Sequence, residues 1–217
     1  MILPQNPEPT CTQCPRLADF RNKARIRFPH GYNAPVMNFG APDAPLLIVG
    51  LAPGLQGANL SGRPFTGDWA GDLLYETLLK FGFAQGHYLA RPDDGLALID
   101  TQITNAVRCV PPDNKPLPVE ISQCRPYLSA ALHENSQLRA IVALGRVAHE
   151  SVLRALGEKL SAYSFAHGAE HRIGKLFLFD SYHCSRYNTN TGVLTPEMFC
   201  NVFKAVRLYL EAPPDPL

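Results

Sequence analysis

The residues with chemical potential in this chain sit in three places. Asp68 closes a glycine-rich stretch, residues 50–68 (GLAPGLQGANLSGRPFTGD), and Phe65 stands three residues before it. An aromatic ring beside a carboxylate suits a pocket for a flat heterocycle. The ring stacks on the base, and the carboxylate stabilises positive charge or positions water. Asp68 has a plainer alternative as a helix N-cap, in reach of the Ala70 or Gly71 amide. His183 opens residues 183–192 (HCSRYNTNTG). A histidine at the end of a strand can donate a hydrogen bond to a leaving group's developing negative charge. Such a donor is worth on the order of a hundredfold in rate. A lone loop histidine is more often polar surface. Ser185 can bind a phosphate, and Arg186 and Tyr187 are large enough to wedge into a duplex.

The third place is the cysteine set. Cys11 and Cys14 form a C-x2-C pair, while Cys109 and Cys124 are widely spaced. Four thiolates can close a zinc site or hold an iron–sulfur cluster; unrelated thiols are the third possibility. Zinc ribbons use two tight pairs, and the second pair here is wide. Cys184 and Cys200 have no evident partner. Gly57 to Arg63 narrowly misses a P-loop, because Arg63 and Pro64 replace the Lys-Ser/Thr pair, which argues against nucleotide hydrolysis.

These residues need elements to position them. Four apolar runs, 45–50, 103–107, 139–144 and 175–182, predict strands buried on both faces. Helical spacing appears in Leu74/Leu78/Phe81, in Leu128/Leu132 with Pro126 in a first turn, and in Ala148/Val152/Leu156. A last helix runs through Phe199, Val202, Phe203, Val206 and Leu210, with Thr195 as N-cap and Pro196 at its start. Alternating strands and helices imply an α/β fold with a parallel sheet. The unusual loops all follow strand ends, where such sheets bind ligands.

Net charge is +1, so any DNA contact must come from a local basic face. Residues 16–27, with Arg16, Arg21, Lys23, Arg25 and Arg27, are either that face or a solvated helix side. No run approaches the roughly 18 apolar residues of a membrane span, and the polar start lacks a signal core. The protein is therefore expected in the cytoplasm, with cysteines that are ligands or buried thiols rather than disulfides.

Taken together, residues 50–54 (GLAPG) with 62–68 (GRPFTGD), 104–109 (TNAVRC) and the 183–192 segment resemble the uracil-DNA glycosylase superfamily. The resemblance is closest to its iron–sulfur branch, family 5, and runs from about Cys11 to the last helix. It implies a single glycosylase-like domain over 1–217, with flexible ends at 1–10 and 211–217. The implied fold is a three-layer α/β/α sandwich around a four-stranded parallel sheet.

It also implies a structural 4Fe-4S cluster on Cys11, Cys14, Cys109 and Cys124. Asp68, Asn105 and His183 become the implied catalytic residues, and Ala52, Gly54, Phe65 and Asn105 the base-binding ones. Ala52 stands where many members carry a catalytic carboxylate or amide. Cys184 replaces the family's usual proline, and Leu55 and Gln56 stand where Ala-His is common.

On this reading Ser61, Arg63, Thr66, Ser185, Arg186, Tyr187 and Asn188 face DNA. The damaged base leaves the stack before its glycosidic bond is cut, and no motif offers a lysine for lyase chemistry. The expected partner of a monomer is DNA carrying uracil or another deaminated base such as hypoxanthine or xanthine. The competing reading is a non-catalytic DNA-binding protein stapled by the cluster.

Overall fold

The computed structural model describes residues 4–213. The elements in chain order are α1 (Pro15–Arg27), β1 (Phe39–Gly40), β2 (Leu46–Gly50), α2 (Ala58–Ser61), α3 (Trp69–Lys80), β3 (Ala84–Gln85), β4 (Ala97–Leu98) and β5 (Thr101–Asn105). They continue with α4 (Pro118–His133), β6 (Ala140–Leu144), α5 (Arg146–Ala155), β7 (Glu170–Ile173), β8 (Leu176–Ser181), α6 (Arg186–Asn190) and α7 (Pro196–Glu211).

The main sheet has six strands in the order β1-β5-β2-β6-β8-β7. The pairs β2–β5, β2–β6 and β6–β8 are parallel. The short edge strands β1 and β7 pair antiparallel with their neighbours. The expected count of four strands is thus corrected to six. β1 has two residues, and β7 reads EHRI, too polar to register as an apolar run.

Side chains alternate across the pleat, so each apolar run feeds two cores. Leu46, Ile48, Ile103, Val142 and Phe179 face Leu74 and Leu78 of α3 and Phe199, Phe203 and Val206 of α7. Leu47, Val49, Ile141, Ala143 and Leu178 face Leu128 and Leu132 of α4 and Val152 and Leu153 of α5. Helices therefore cover both faces. The α7 start follows the sequence reading, with the Thr195 side chain accepting from the Met198 amide at 3.2 Å.

Two readings are corrected. Pro126 lies inside α4, which begins at Pro118. Proline frees the carbonyl four residues back, but Ser122 and Pro126 are both exposed, so water can satisfy it. Within residues 4–10, expected to be a loose end, Gln5 and Asn6 are tied to the fold. Asn6 Oδ1 accepts from Asn38 N at 2.8 Å and from Arg108 Nη1 at 3.0 Å, and Arg108 Nη2 donates to the Gln5 carbonyl. Glu211 closes α7, and residues 1–3 and 214–217, also within the ends expected to be flexible, lie outside the described residues. No helix among the described residues is long and apolar enough to cross a membrane.

Candidate functional site

The strand order reverses around β2, which has β5 on one side and β6 on the other. A crevice forms beyond the strand ends at such a point. Here it is a cleft of about 730 Å³, walled by Phe20, Gln56, Trp69, Pro111, Asn114 and Arg186 among others. At its floor is a smaller slot lined by Ala52, Gly54, Ala58, Phe65, Asp68, Ala70, Asn105 and His183. Ala52, Gly54, Asp68, Ala70 and His183 belong to both cleft and slot. All the residues expected to handle a base therefore converge on one slot.

Each arrives by a different route. Asn105 is the last residue of β5 and lies in register with Gly50 at the end of β2. Gly50 must lack a side chain, because a Cβ there would collide with Asn105 Oδ1 and come within 2.5 Å of Phe65 Cζ. Phe65 is buried with a φ of 52°. A left-handed backbone is costly for an aromatic residue and persists only where its surroundings enforce it. The Tyr88 hydroxyl donates to the Phe65 carbonyl at 3.2 Å, and the Tyr75 hydroxyl to the Pro64 carbonyl at 2.6 Å. The Phe65 ring lies 6.1 Å from the His183 ring, tilted by 31°.

Asp68 takes the capping role and also lines the slot. Its Oδ1 accepts from the Gly71 amide at 3.2 Å, capping α3. Its Oδ2 faces the glycine loop, where a Cβ on Gly57 would approach to 2.5 Å and one on Gly54 to 3.1 Å. Burial raises the Asp68 pKa above the ordinary carboxylate range. Among the described residues, the Asn105 amide and the His183 imidazole make no side-chain hydrogen bond, although both line the slot. Unpaired polar groups in a buried site are costly unless a ligand or water meets them.

His183 is pushed down to about 4 by burial alone. It is therefore neutral at physiological pH and can act as a neutral hydrogen-bond donor. The shift also predicts a pH-dependent stability. The unfolded histidine takes up a proton near pH 6.5, and the folded one resists until about pH 4. Stability attached to this residue is thus lost as pH falls from 6.5 towards 4, by about 2 kcal/mol at pH 5. Denaturant titrations at pH 7.5 and pH 5 should differ by that amount more in the native protein than in His183→Gln. An equal difference in both would show that His183 titrates normally.

Several expected DNA contacts are turned inward. Arg63 is buried, its guanidinium gripping both carboxylate oxygens of Asp94 at 2.8 and 2.7 Å. Thr66 is fully buried, accepting from Arg63 Nε at 2.7 Å. The Ser61 hydroxyl donates to the Thr66 carbonyl at 2.9 Å. Asn188 donates through Nδ2 to the His183 carbonyl at 2.8 Å, bracing the histidine loop. Arg63 and Thr66 are thus corrected from DNA contacts to buried supports of the slot, while the half-buried Ser61 and Asn188 brace its loops through these bonds.

The rim is different. Ser185 caps α6 and lines the cleft beside Arg186. The Arg186 guanidinium sits 5.7 Å from the Trp69 ring centre, and the indole N–H donates to Thr189 Oγ1 at 2.8 Å. Tyr187 is 73% exposed.

Comparison with known proteins bears directly on this arrangement. The family model of the uracil DNA glycosylase superfamily matches residues 37–207. The chain belongs to that superfamily. It is 43% identical to a type-5 uracil-DNA glycosylase of Thermus thermophilus, over 88% of this chain and 90% of the relative. It is 36% identical to a type-5 uracil-DNA glycosylase of Pyrobaculum aerophilum, over 89% and 86%. A type-4 uracil-DNA glycosylase of Sulfurisphaera tokodaii is 29% identical, over 88% and 77%.

In this superfamily member the cysteines adjoin the slot. Cys11, Cys14, Cys109 and Cys124 line one small cavity with Leu17, Arg21, Val107, Arg108 and Tyr127. Ala52 packs against this cluster as well as lining the slot. Desolvation raises the Cys14, Cys109 and Cys124 pKa values to about 11.

Two arginines there are buried without a carboxylate partner among the described residues. Arg21 donates to Cys109 Sγ at 2.9 Å and to the Cys11 carbonyl at 2.7 Å. Arg108 finds only neutral oxygens, and its pKa falls to about 10 through desolvation. The Nε atoms of both are unpartnered. Buried cations require compensating charge, and four thiolates around a metal cluster would supply it. The donor set therefore fits such a group.

The sequence reading missed several contributors. Gly50 and Gly57 clear space for the slot, and their roles depend on neighbours distant in sequence. Asp113 and Asn114, both at positive φ, wall the cleft after Pro111 and Pro112. Asn and Asp tolerate that backbone best, but the residue types alone do not reveal it. Arg21, read as part of a basic stretch, points into the cysteine cavity.

Proposed function

We propose that this protein is a uracil-DNA glycosylase, hydrolysing the bond between uracil and its deoxyribose to leave an abasic site. The observation that carries the reading is the convergence of Phe65, Asp68, Asn105 and His183 on one slot at the floor of an open cleft. Family membership and the type-5 relatives support it.

A base inside a duplex cannot reach such a floor, so the nucleotide must be extruded. Ser185, at the rim, meets a flanking phosphate, which positions DNA without reading sequence. Arg186 and Tyr187 fill the space the base leaves. Within the slot, Phe65 stacks on the base and the unpaired Asn105 amide meets its polar edge. As the glycosidic bond stretches, its electrons move onto the base and the sugar becomes cationic. Neutral His183 donates a hydrogen bond to the base oxygen. The Asp68 carboxylate faces the cation and orients the water whose oxygen bonds to the sugar carbon. The water's proton ends on the departing base.

An amide offers both a donor and an acceptor, so the slot is also expected to accept hypoxanthine and xanthine. Cys11, Cys14, Cys109 and Cys124 would hold a structural 4Fe-4S cluster, the group best matched to four thiols, two of them buried, lining one cavity beside two uncompensated arginines. The single trio of His, Cys, Asp or Glu groups drawn together as one ion requires, among the described residues, lies elsewhere. This favours a cluster over one zinc ion. Its contribution is to tie the N-terminal segment to the loop after β5. The chain then acts as one glycosylase domain, a monomer on DNA in the cytoplasm, where thiols stay reduced.

The test uses end-labelled duplexes carrying a single uracil, hypoxanthine or xanthine. They are incubated with the purified protein and then treated with alkali. Cleavage at uracil is the expected result, with iron measured on the same preparation. A folded, iron-containing protein that binds the duplex and cleaves none of the three would replace this reading with that of a non-catalytic DNA-binding protein.

A further inference from the structure

The catalytic reading leaves unexplained a second buried polar centre on the opposite side of β8. His149 of α5, His171 of β7 and Asp180 of β8 bring one ligand atom each to within 4.8 Å of one another. His149 Nδ1 lies 2.8 Å from Asp180 Oδ1, and His171 Nε2 lies 3.0 Å from Asp180 Oδ2. Asp180 is fully buried and His149 nearly so, while the His171 side chain is 14% exposed. Rings of Tyr163 and Phe165 surround the pair.

The decisive feature is the other side of His149. Its Nε2 faces the Tyr163 carbonyl at 3.0 Å. A carbonyl only accepts, so Nε2 must carry the ring's proton. A neutral imidazole has one N–H, which leaves the Nδ1 lone pair pointing at a carboxylate oxygen. Two acceptors held at that distance need a cation, a proton or a metal ion, to satisfy both. His171 presents a second ring nitrogen to the same carboxylate.

We propose that His149, His171 and Asp180 form a binding site for a divalent transition metal, most suitably zinc. Two imidazoles and a carboxylate are an established zinc donor set, and a fourth position remains for water. Tetrahedral zinc with bonds of about 2.0–2.1 Å separates its ligand atoms by about 3.3 Å. The His171–Asp180 spacing of 3.0 Å is about 0.3 Å short of that and the His149–Asp180 spacing of 2.8 Å about 0.5 Å short, each to a different carboxylate oxygen. A metal-bound histidine typically donates its other N–H to a backbone carbonyl, as His149 does to Tyr163. The three ligands come from three elements, so the ion would staple edge strand β7 and the segment before it to α5.

Cobalt(II) tests this on the full-length protein with its cysteine cavity intact. The chelator-treated protein should bind one equivalent and develop the visible absorption of a four-coordinate nitrogen/oxygen site, without thiolate-to-cobalt charge transfer. His171→Ala sits on an exposed edge and should fold, but lose that equivalent. Cys14→Ser should keep it. As a second measurement, zinc-edge X-ray absorption of the zinc-loaded protein should show nitrogen and oxygen neighbours and no sulfur. The proposal is overturned if cobalt gives no such band, if the band survives His171→Ala, or if zinc is found on sulfur. It is likewise overturned if nitrogen NMR of metal-treated protein shows His149 protonated on both ring nitrogens.

Discussion

Asp68→Asn should slow uracil excision by about 10²–10³-fold, equivalent to roughly 3–4 kcal/mol of transition-state stabilisation. The same variant should unfold at the same temperature as the native protein or a higher one. These two outcomes belong together. Asp68 Oδ1 caps α3 through the Gly71 amide, and asparagine caps as well as aspartate. The side chain is isosteric, so it still fits against Gly57 and Gly54.

What asparagine lacks is the charge, and burial raises the carboxyl pKa above its usual range. A carboxyl raised on folding stabilises the fold only while protonated, and that contribution is lost as pH rises through its folded pKa. Ionised Asp68 is therefore a cost to the fold at pH 7.5, and its removal is neutral or favourable. Single-turnover kinetics and a thermal melt on one preparation check both halves. The native pH–rate profile should also fall on its acid side above the ordinary carboxylate range, and Asp68→Asn should lose that limb. Unchanged excision with a lowered melting temperature would reduce Asp68 to its capping role.

Much of this site was legible because chemistry and topology coincide. β2 and β6 carry no polar residue and β8 none before Asp180, while β5 (TQITN) is buried throughout although it is largely polar and ends on Asn105. Loops following the ends of these strands had to lie on one side of the sheet. Phe65, Asp68 and His183 could thus be expected near each other without knowing any distance. What could not be read was direction. Ser61, Arg63 and Thr66 share a loop with Phe65, and nothing in their types says which way they point. Arg63 is turned inward by Asp94, 31 residues further along. Arg21 is turned inward by a cavity assembled from three separate segments. The short edges β1 and β7 were invisible for a related reason: they are defined by their partner strands rather than by their own pattern.

Arg63 supplies the sharpest contrast between sequence and structure. Arg63→Ala should destabilise the protein by about 3–5 kcal/mol, because it strands a buried carboxylate. Asp94 is held by both guanidinium nitrogens and also accepts from the Leu89 and Leu96 amides. The hydrogen bond from Arg63 holds its pKa well below the usual carboxylate range. A carboxyl depressed on folding contributes stability above its unfolded pKa, lost only as pH falls through the folded value. The pair should therefore act undiminished from pH 5 to 9.

The arginine also lies among the rings of Phe39, Tyr75 and Tyr88, 5.3–5.8 Å from their centres. Arg63→Lys should rescue little, since an ammonium cannot grip both oxygens or stack in that way. Tyr75 and Tyr88 are the two residues that hold the Pro64 and Phe65 carbonyls, so the loss reaches the stacking ring through the backbone. Urea denaturation measures the stability. Salt dependence of binding to undamaged DNA distinguishes the alternatives. A phosphate contact would lower the salt slope by about one on removal, whereas a buried brace leaves the slope unchanged. A stability loss below about 1 kcal/mol together with a shallower slope would return Arg63 to the DNA surface.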